Sequence, residues 1–205
     1  MLRQFFITAL RFIARNRIVS VINIIGLTFG ISSAILISLY IVKELSFDKS
    51  FLKGDRIFRL EYQYPERNPG AVMVSAVGPD LKNSLAAIED VVRIQFGQDV
   101  VVRKEETIYF TLPGVCIVDS TFFNFFEQTW IYGNPEGALN KPWSLVLTDE
   151  MAKMIFGDIN PVGLNLFYQS TSIPITVTGV IKKRDDSHLK YDALLSLVTR
   201  SVESS

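Results

Sequence analysis

The side chains best suited to chemistry in this sequence are few and scattered. His188 is the sole histidine and lies in a polar turn, where a general base or a metal site would need partners that the sequence does not supply nearby. Cys116 is the sole cysteine, so neither a disulfide nor a thiolate metal site can form within one copy. We interpret His188 as an exposed side chain and Cys116 as a small buried apolar residue.

Two adjacent carboxylates, Asp185 and Asp186, are the remaining candidates for cation binding. Three basic residues directly precede them: Lys182, Lys183 and Arg184. Acidic and basic residues mixed in this way are more typical of a solvated turn than of a metal site. The sequence therefore predicts no metal ligands.

Motifs for catalysis or nucleotide binding are missing from the sequence. There is no serine nucleophile elbow, glycine-rich phosphate loop or zinc-binding pair, and Gly54, Gly114 and Gly163 stand singly as turn residues. We predict no catalytic residues, no cofactor and no enzymatic activity. A membrane-bound hydrolase is disfavoured for the same reason.

The longest element that the sequence predicts is an uncharged apolar run over residues 18–42, to which the rest of the chain is joined. As a helix these 25 residues would reach ~37 Å, more than the ~30 Å thickness of the hydrocarbon core of a bilayer. The alternative is a cleaved signal peptide, but its apolar core would be shorter, about 7–15 residues. The pattern favours a transmembrane helix, with residues 43–205 held at the membrane surface.

The basic residues before this run indicate its orientation. Arg3, Arg11, Arg15 and Arg17 precede it, and no acidic residue occurs before Glu44. Positive charge is typical of the side that stays in the cytoplasm. We therefore predict a cytoplasmic N-terminus and a main domain on the other side of a bacterial inner membrane.

Overall charge excludes one class of partner. The sequence has 21 basic and 21 acidic residues, and without the four N-terminal arginines 17 basic residues face 21 acidic ones, a net charge of about −4. Because nucleic-acid binding calls for a basic surface, nucleic acid is not expected as a partner. Residues 43–205 are numerous enough for one domain or two small subdomains.

Residues 1–17 have the pattern of an amphipathic helix. One face carries the apolar residues Leu2, Phe5, Phe6, Ala9, Leu10 and Ile13, and the other carries Gln4, Thr8, Arg11 and Arg15. An ordinary soluble helix is the alternative, but a helix joined directly to a span has no soluble core to pack on. We predict that this face lies in the membrane interface.

Small residues recur at every fourth position within the predicted span. They are Gly26, Gly30, Ala34 and Ser38, and Asn23 adds an amide near the cytoplasmic end. Small residues allow transmembrane helices to approach closely, and a buried amide favours a hydrogen-bond partner on another helix. Glycine and serine are also common in membrane helices without such a role. We predict a helix-packing face formed by these five residues.

After the span the pattern changes to strands and short helices. Strands are predicted at 56–64, 91–96, 100–103, 107–112, 115–118, 145–147, 164–168 and 175–181. Helices are predicted at 79–88, after a cap at Asp119 through the phenylalanines of 122–126, and after a cap at Thr148 until Gly157. Residues 189–198 fit neither pattern clearly. We expect an α+β fold with several β–α–β crossings.

The order of the segments resembles the N-terminal part of ABC transporter permeases of the MacB/FtsX type, which carry a MacB-like periplasmic core domain. The matching residues are Asn23, Ile24, Ile25, Gly26, Leu27 and Gly30; Glu44, Leu45, Ser46, Phe47 and Asp48; Asp55, Arg56, Ile57, Phe58 and Arg59; Val118, Asp119, Phe122, Phe123 and Phe126; Gly133, Asn134, Pro135, Ala138 and Leu139; Ser144, Leu145, Val146, Leu147 and Thr148; Phe156, Gly157, Pro161, Val162 and Gly163; and Val177, Thr178, Gly179 and Val180. Each piece is unspecific, but eight pieces in the right order are specific.

The resemblance implies a dimeric permease that works with a separate cytosolic ABC ATPase and other permease transmembrane helices. Such a subunit transmits nucleotide-driven motion to substrates outside the cytoplasm, as in export or extraction. The sequence shows no second apolar run long enough to span after Val42, so a truncated or split permease with an incomplete domain at 43–205 is expected. The alternative is a stand-alone, membrane-anchored binding module that contacts envelope proteins without ATP coupling.

Overall fold

The computed structural model describes residues 2–46, 54–63, 68–169, 171–184 and 186–199. The chain divides into two compact units, Met1–Phe47 and Asp48–Ser205, which we call the helical unit and the body. The helical unit contains α1 (Leu2–Arg15) and α2 (Arg17–Ser46). The described elements of the body are a 3-10 turn (Gly54–Arg56), α3 (Val77–Ser84), β1 (Ile94–Glu105), β2 (Ile108–Val118), α4 (Phe122–Phe125), β3 (Trp130–Tyr132), β4 (Ser144–Thr148), α5 (Asp149–Phe156), β5 (Asn165–Tyr168), β6 (Pro174–Ile181) and β7 (Ala193–Ser196).

Helical hydrogen bonding continues between α1 and α2. The Asn16 N–H donates to the Phe12 carbonyl and the Ser20 N–H donates to the Asn16 carbonyl, each at 3.0 Å. Helix α2 has 30 residues and would extend ~45 Å, enough to cross a bilayer with both ends outside the hydrocarbon. A helix suits this environment because all its central backbone groups bond within the segment.

The body is built on one mixed sheet that closes on itself. The strand order is β3-β6-β4-β7-β2-β1-β5, and β5 also pairs with β6. The pairs β2–β7 and β4–β6 are parallel, and the other pairs are antiparallel. Helix α5 lies in the connection between the parallel strands β4 and β6, so the expected β–α–β crossing is present. The α+β class is confirmed.

Two clusters of buried side chains lie against this sheet. One is built around Leu112, Leu147, Leu166 and Val177 and includes α5. The other joins Val146 and Leu194 to the aromatic residues that follow β2. Because β4 and β7 contribute to both clusters, every residue of these two strands is buried.

Strand β7 lies in the segment that the sequence left undecided between strand and helix. Its residues run parallel to β2, with Cys116 opposite Leu194. A strand buried on both faces has no alternation of apolar and polar residues, which is why its pattern was ambiguous. Strand β3 was missed because three residues are too few to establish a period.

The predicted breaks within the β1–β2 hairpin are wrong. Each strand is continuous where the sequence predicted two strands. The residues that were interpreted as turns, Gly97 and Pro113–Gly114, lie at shifts in the strand register and form bulges there. Gly114 has a φ of 58° there, a conformation that glycine adopts without strain. Proline has no N–H to donate, so it suits an irregular point of the ladder.

The predicted strand at 56–64 is also wrong. Its described part has a 3-10 turn at Gly54–Arg56 and a single bridge between Tyr62 and Gly70, and Tyr64 lies outside the described residues. Phe58, Leu60 and Tyr62 do alternate with polar residues. A strand also needs a neighbouring strand to pair with, and a sequence pattern does not show whether one is present.

The predicted helix starts and stops are partly confirmed. Helix α3 begins at Val77 and ends at Ser84, earlier than the predicted 79–88. Thr148 is the N-terminal cap position of α5, yet its hydroxyl donates to the Asp192 carbonyl at 3.2 Å instead of capping. Gly157, with a φ of 75°, ends α5 as predicted.

Candidate helix-packing and membrane-interface sites

The predicted helix-packing face lies on an open surface of α2. At Gly26 and Gly30 an added Cβ would have no atom of the described residues within 4 Å, apart from the helix's own backbone and the adjacent residues. Ala34 and Ser38 line a shallow groove of about 320 Å³ together with the apolar residues Ile31, Ile35, Leu39 and Val42. Another helix would find flat backbone at the first two positions and a groove at the other two.

The rest of α2 is equally uncovered. Large apolar side chains all round the helix are exposed, from Ile18 to Leu45. Within the described residues, Arg17–Leu45 is the one helix long and apolar enough to cross a membrane. A helix that is apolar on every side needs a nonaqueous environment, which here means lipid or other helices.

Two polar residues of α2, Thr28 and Asn23, differ in whether the helix itself provides a hydrogen-bond partner for the side chain. The Thr28 hydroxyl donates to the Ile24 carbonyl at 2.7 Å, so the helix satisfies it internally. The Asn23 side-chain amide forms no hydrogen bond with the described part of the chain. In hydrocarbon such an amide costs free energy unless another helix or the headgroup region supplies a partner.

The predicted interfacial face follows the helical spacing of α1. The backbone of Leu2–Arg15 is helical, so Leu2, Phe5, Phe6, Ala9, Leu10 and Ile13 share one side by their positions. The side chains of the first five lie outside the described residues, and Ile13 is exposed. On the other side the Thr8 hydroxyl donates to the Gln4 carbonyl at 2.9 Å.

The residues considered for chemistry in the body lie apart. Cys116 is buried, and burial raises the pKa of its thiol, which suppresses the reactive thiolate. His188 is exposed in a bend. Asp186 accepts hydrogen bonds from Arg184 Nε at 2.9 Å and Nη2 at 2.8 Å, and Asp185 lies outside the described residues. Across the described ranges, no three or more His, Cys, Asp or Glu side chains group as metal ligands.

The basic turn after β6 is more ordered than its composition indicated. Lys183 Nζ contacts Glu150 at 2.8 Å and Asp192 at 2.9 Å, while its backbone N–H donates to Asp149 Oδ1 at 2.9 Å. The hydrogen bonds to Glu150 and Asp192 raise the pKa of Lys183. The interpretation of 182–187 as a merely solvated turn is therefore wrong, because Lys183 ties the end of β6 to α5 and to the approach of β7.

A second polar contact anchors the start of β1. Asp119 accepts hydrogen bonds from the Arg93 backbone N–H at 2.9 Å and from Arg93 Nε and Nη2 at 2.8 and 2.7 Å. The pair raises the pKa of the Arg93 guanidinium, whose Nη1 also donates to Ser75. Asp119 was predicted as a helix cap, but its carboxylate serves Arg93 instead, because a guanidinium matches a carboxylate in two parallel bonds.

Residues 20–204 match the family described as the MacB-like periplasmic core domain. No curated protein matches the chain. A solved domain of a protein assigned as a permease from Porphyromonas gingivalis is similar with a TM-score of 0.52 and 19% identity, over 60% of this chain and 52% of that domain. At this identity the similarity shows the fold.

Two further solved structures are similar. The periplasmic region of MacB from Actinobacillus actinomycetemcomitans has a TM-score of 0.45 and 15% identity, over 58% of this chain and 53% of that one. The extracellular domain of the noncanonic ABC-type transporter YknZ from Gram-positive bacteria has a TM-score of 0.48 and 15% identity, over 65% and 66%. The chain thus spans about half the length of the first two solved structures.

The described chain thus joins one helix long and apolar enough to cross a membrane to a body with the α+β fold of these solved domains. Since the family match covers most of the sequence, the chain belongs to the family of MacB-like periplasmic core domains of ABC transporter permeases. The family inferred from the order of the short motifs is confirmed.

Proposed function

We propose that the chain is a membrane subunit, or an N-terminal piece of one, of an ABC transporter permease. It couples a separate cytosolic ATPase to conformational work on the extracytoplasmic side, such as export or extraction of substrates. The observation that carries this proposal is the combination of a family match over residues 20–204 with an apolar helix that the described chain leaves uncovered.

Placement in the membrane follows from charge. Arg3, Arg11, Arg15 and Arg17 hold the N-terminus on the cytoplasmic side of the inner membrane, and the body lies in the periplasm. Helix α1 lies along the cytoplasmic interface with its apolar residues toward lipid. In this arrangement motion of an ATPase bound at the cytoplasmic face reaches the body through α2.

The helix-packing face is where this motion enters the permease. Gly26, Gly30, Ala34 and Ser38 leave room for another transmembrane helix, and the unpaired Asn23 amide offers that helix a hydrogen bond. A passive anchor would need only apolar length. The partner helices belong to the permease assembly, which we propose to be dimeric.

The test is purification of the full chain from gently solubilised membranes, followed by identification of proteins that accompany it. We expect an ABC ATPase with the wild-type chain and much less of it with Gly30→Leu, which fills the space beside the helix. Ile37→Leu is the control, because it places the same leucine side chain at an exposed position outside the stripe without adding volume, and it should retain the partner. A chain that purifies without an ATPase contradicts coupling and favours a stand-alone binding module.

A further inference from the structure

The polar side of α1 carries positive charge and no negative charge. Gln4, Thr8, Arg11 and Arg15 recur at helical spacing and form one row along the helix, which we call the polar row. The Thr8 hydroxyl donates to the Gln4 carbonyl at 2.9 Å, so the two arginines are the charged part of the row. The first acidic residue of the sequence is Glu44, beyond the apolar run. The polar row is therefore suited to binding an anion.

Arg11 and Arg15 are available for such an anion. Both side chains are exposed, and neither forms a hydrogen bond or an ion pair with the described part of the chain. Arg17 differs, because its Nε already donates to the Ala14 carbonyl at 3.2 Å. Arg11 and Arg15 lie about 6 Å apart along the helix axis, so they can bind neighbouring anions of one surface at the same time.

The distance from the apolar run places both arginines near the depth of lipid headgroups. Helical hydrogen bonding continues through Asn16, so the helical rise per residue also holds between α1 and α2. Along the helix from Ile18, where the apolar run begins, Arg15 is ~4.5 Å away and Arg11 is ~10 Å away. The headgroup region adds about 5–8 Å to each side of the hydrocarbon core, and the long arginine side chain can extend toward it. A bend that lays α1 along the interface brings both arginines closer still.

We propose that Arg11 and Arg15 form a binding site for the phosphate groups of anionic phospholipids, for which phosphatidylglycerol is the probe. A guanidinium binds phosphate oxygens through two parallel hydrogen bonds. A zwitterionic headgroup offers the same phosphate, but its own cation offsets the negative charge. Each arginine near an anionic surface strengthens binding about fivefold. The inference rests on the membrane placement proposed for α2, and it requires neither the ATPase nor a particular orientation.

An acidic protein surface fits these observations less well. It would supply carboxylates, but it would have to reach side chains within about 10 Å of the hydrocarbon, on a helix whose opposite side is apolar. A lipid surface supplies acyl chains to the apolar side and phosphate groups to the polar row at the same time. Lipid therefore accounts for both sides of α1 with one partner.

Photocrosslinking to lipid tests the site in the full chain. The chain is reconstituted into phosphatidylcholine vesicles with a trace of photoreactive phosphatidylglycerol or phosphatidylcholine, both carrying the same reactive acyl chain, and crosslinks on residues 1–17 are quantified by mass spectrometry. We expect about tenfold more crosslinking to phosphatidylglycerol. Arg11→Gln combined with Arg15→Gln should lower this ratio about fivefold, because glutamine keeps a polar helix former but removes the charge. Equal crosslinking of both lipids to the wild-type chain overturns the proposal.

Two further pairs of substitutions separate charge on α1 from overall charge. Arg11→Lys combined with Arg15→Lys keeps the charge and should keep most of the preference for phosphatidylglycerol. Arg56→Gln combined with Arg59→Gln removes two charges from exposed arginines of the body, each of which contacts a glutamate, and should leave the ratio unchanged. A preference that falls equally in both glutamine pairs would contradict a site on α1.

The remaining outcomes distinguish this proposal from the others. Crosslinks of either lipid to α2 report whether the chain lies in the bilayer, so a failed lipid preference can be told from a failed membrane placement. Inorganic phosphate at constant ionic strength should not lower crosslinking to phosphatidylglycerol, because lipid phosphate has the higher local concentration beside α1. Competition by phosphate would overturn the lipid assignment. Loss of the ATPase from the Arg11→Gln and Arg15→Gln chain, with an unchanged lipid ratio, would assign the arginines to a protein partner instead.

Discussion

Helix α2 and strand β4 are both strongly apolar, and the structure treats them in opposite ways. Every residue of β4 is buried between β6 and β7, whereas α2 is exposed along its length. The difference lies in where each element finds its partners. The body supplies β4 with neighbours on both sides from its own sequence, while α2 finds none among the described residues, and we propose that lipid and other helices cover it.

The largest contrast is expected from removing the same side chain in the two regions. Leu194 is fully buried in β7, so Leu194→Ala leaves a cavity and should lower the free energy of unfolding of the body by about 3 kcal/mol. Leu36→Ala, on exposed α2, should leave it unchanged. Denaturation of the full chain in detergent, followed by near-UV circular dichroism, measures both. Equal effects would break the comparison.

Three glycine substitutions test the same contrast. At Gly133 an added Cβ would lie 2.7 Å from the Thr178 carbonyl oxygen and the φ is 79°, so Gly133→Ala should cost about 2 kcal/mol. Gly97→Ala keeps a positive φ without the clash and should cost less. Gly30→Ala, in open space on a helix, should not destabilise the body. Thermal melts of the three variants decide whether this ranking holds.

Polar anchoring inside the body should give a smaller effect. Asp119→Asn weakens the bonds to Arg93 and should lower stability by about 1 kcal/mol, because the partly buried guanidinium loses its countercharge. Asp158→Asn removes one partner of the exposed Lys153 pair and is the control, with no measurable change expected. Urea titration compares them, and a larger loss at Asp158 would contradict the assignment of Asp119 as an anchor.

The smallest expected effect concerns pH. The pKa of Lys183 is raised above its ordinary value of 10.5, so its ion pairs stabilise the body fully below that pH and lose their contribution as the pH rises above it. Lys183→Met should cost about 0.5 kcal/mol at neutral pH after solvent screening. It should also make stability less dependent on pH above 10.5. An unchanged alkaline dependence would show that other groups control it.

The sequence was most informative where one local property decides the outcome. The length and apolarity of α2, the capping position of Thr148 and the end of α5 at Gly157 are of this kind. It was least informative where distant residues decide. Neither the bulge at Gly114 nor the Arg93–Asp119 pair can be found without the strand register. The alternation at Phe58 and Leu60 predicts a strand, but the described residues give this segment only the single bridge at Tyr62.

The candidate site followed the same division. The spacing of Gly26, Gly30, Ala34 and Ser38 can be read directly, because helical periodicity alone places them on one stripe. The occupant of that stripe depends on other polypeptides and stays a prediction. The role of Lys183 was missed because its acidic partners lie on other parts of the chain. Glu150 is 33 positions away on α5, and Asp192 directly precedes β7.

We propose above all that other helices pack against the small residues of α2. A photocrosslinking scan of α2 in native membranes tests this proposal directly. A crosslinker is placed singly at each residue from Gly26 to Ser38, and proteins captured at each position are quantified. We expect the amount of captured protein to be highest at Gly26, Gly30, Ala34 and Ser38 and lowest at Leu36 and Ile37. Capture of lipid alone, or of protein equally at every position, would contradict it.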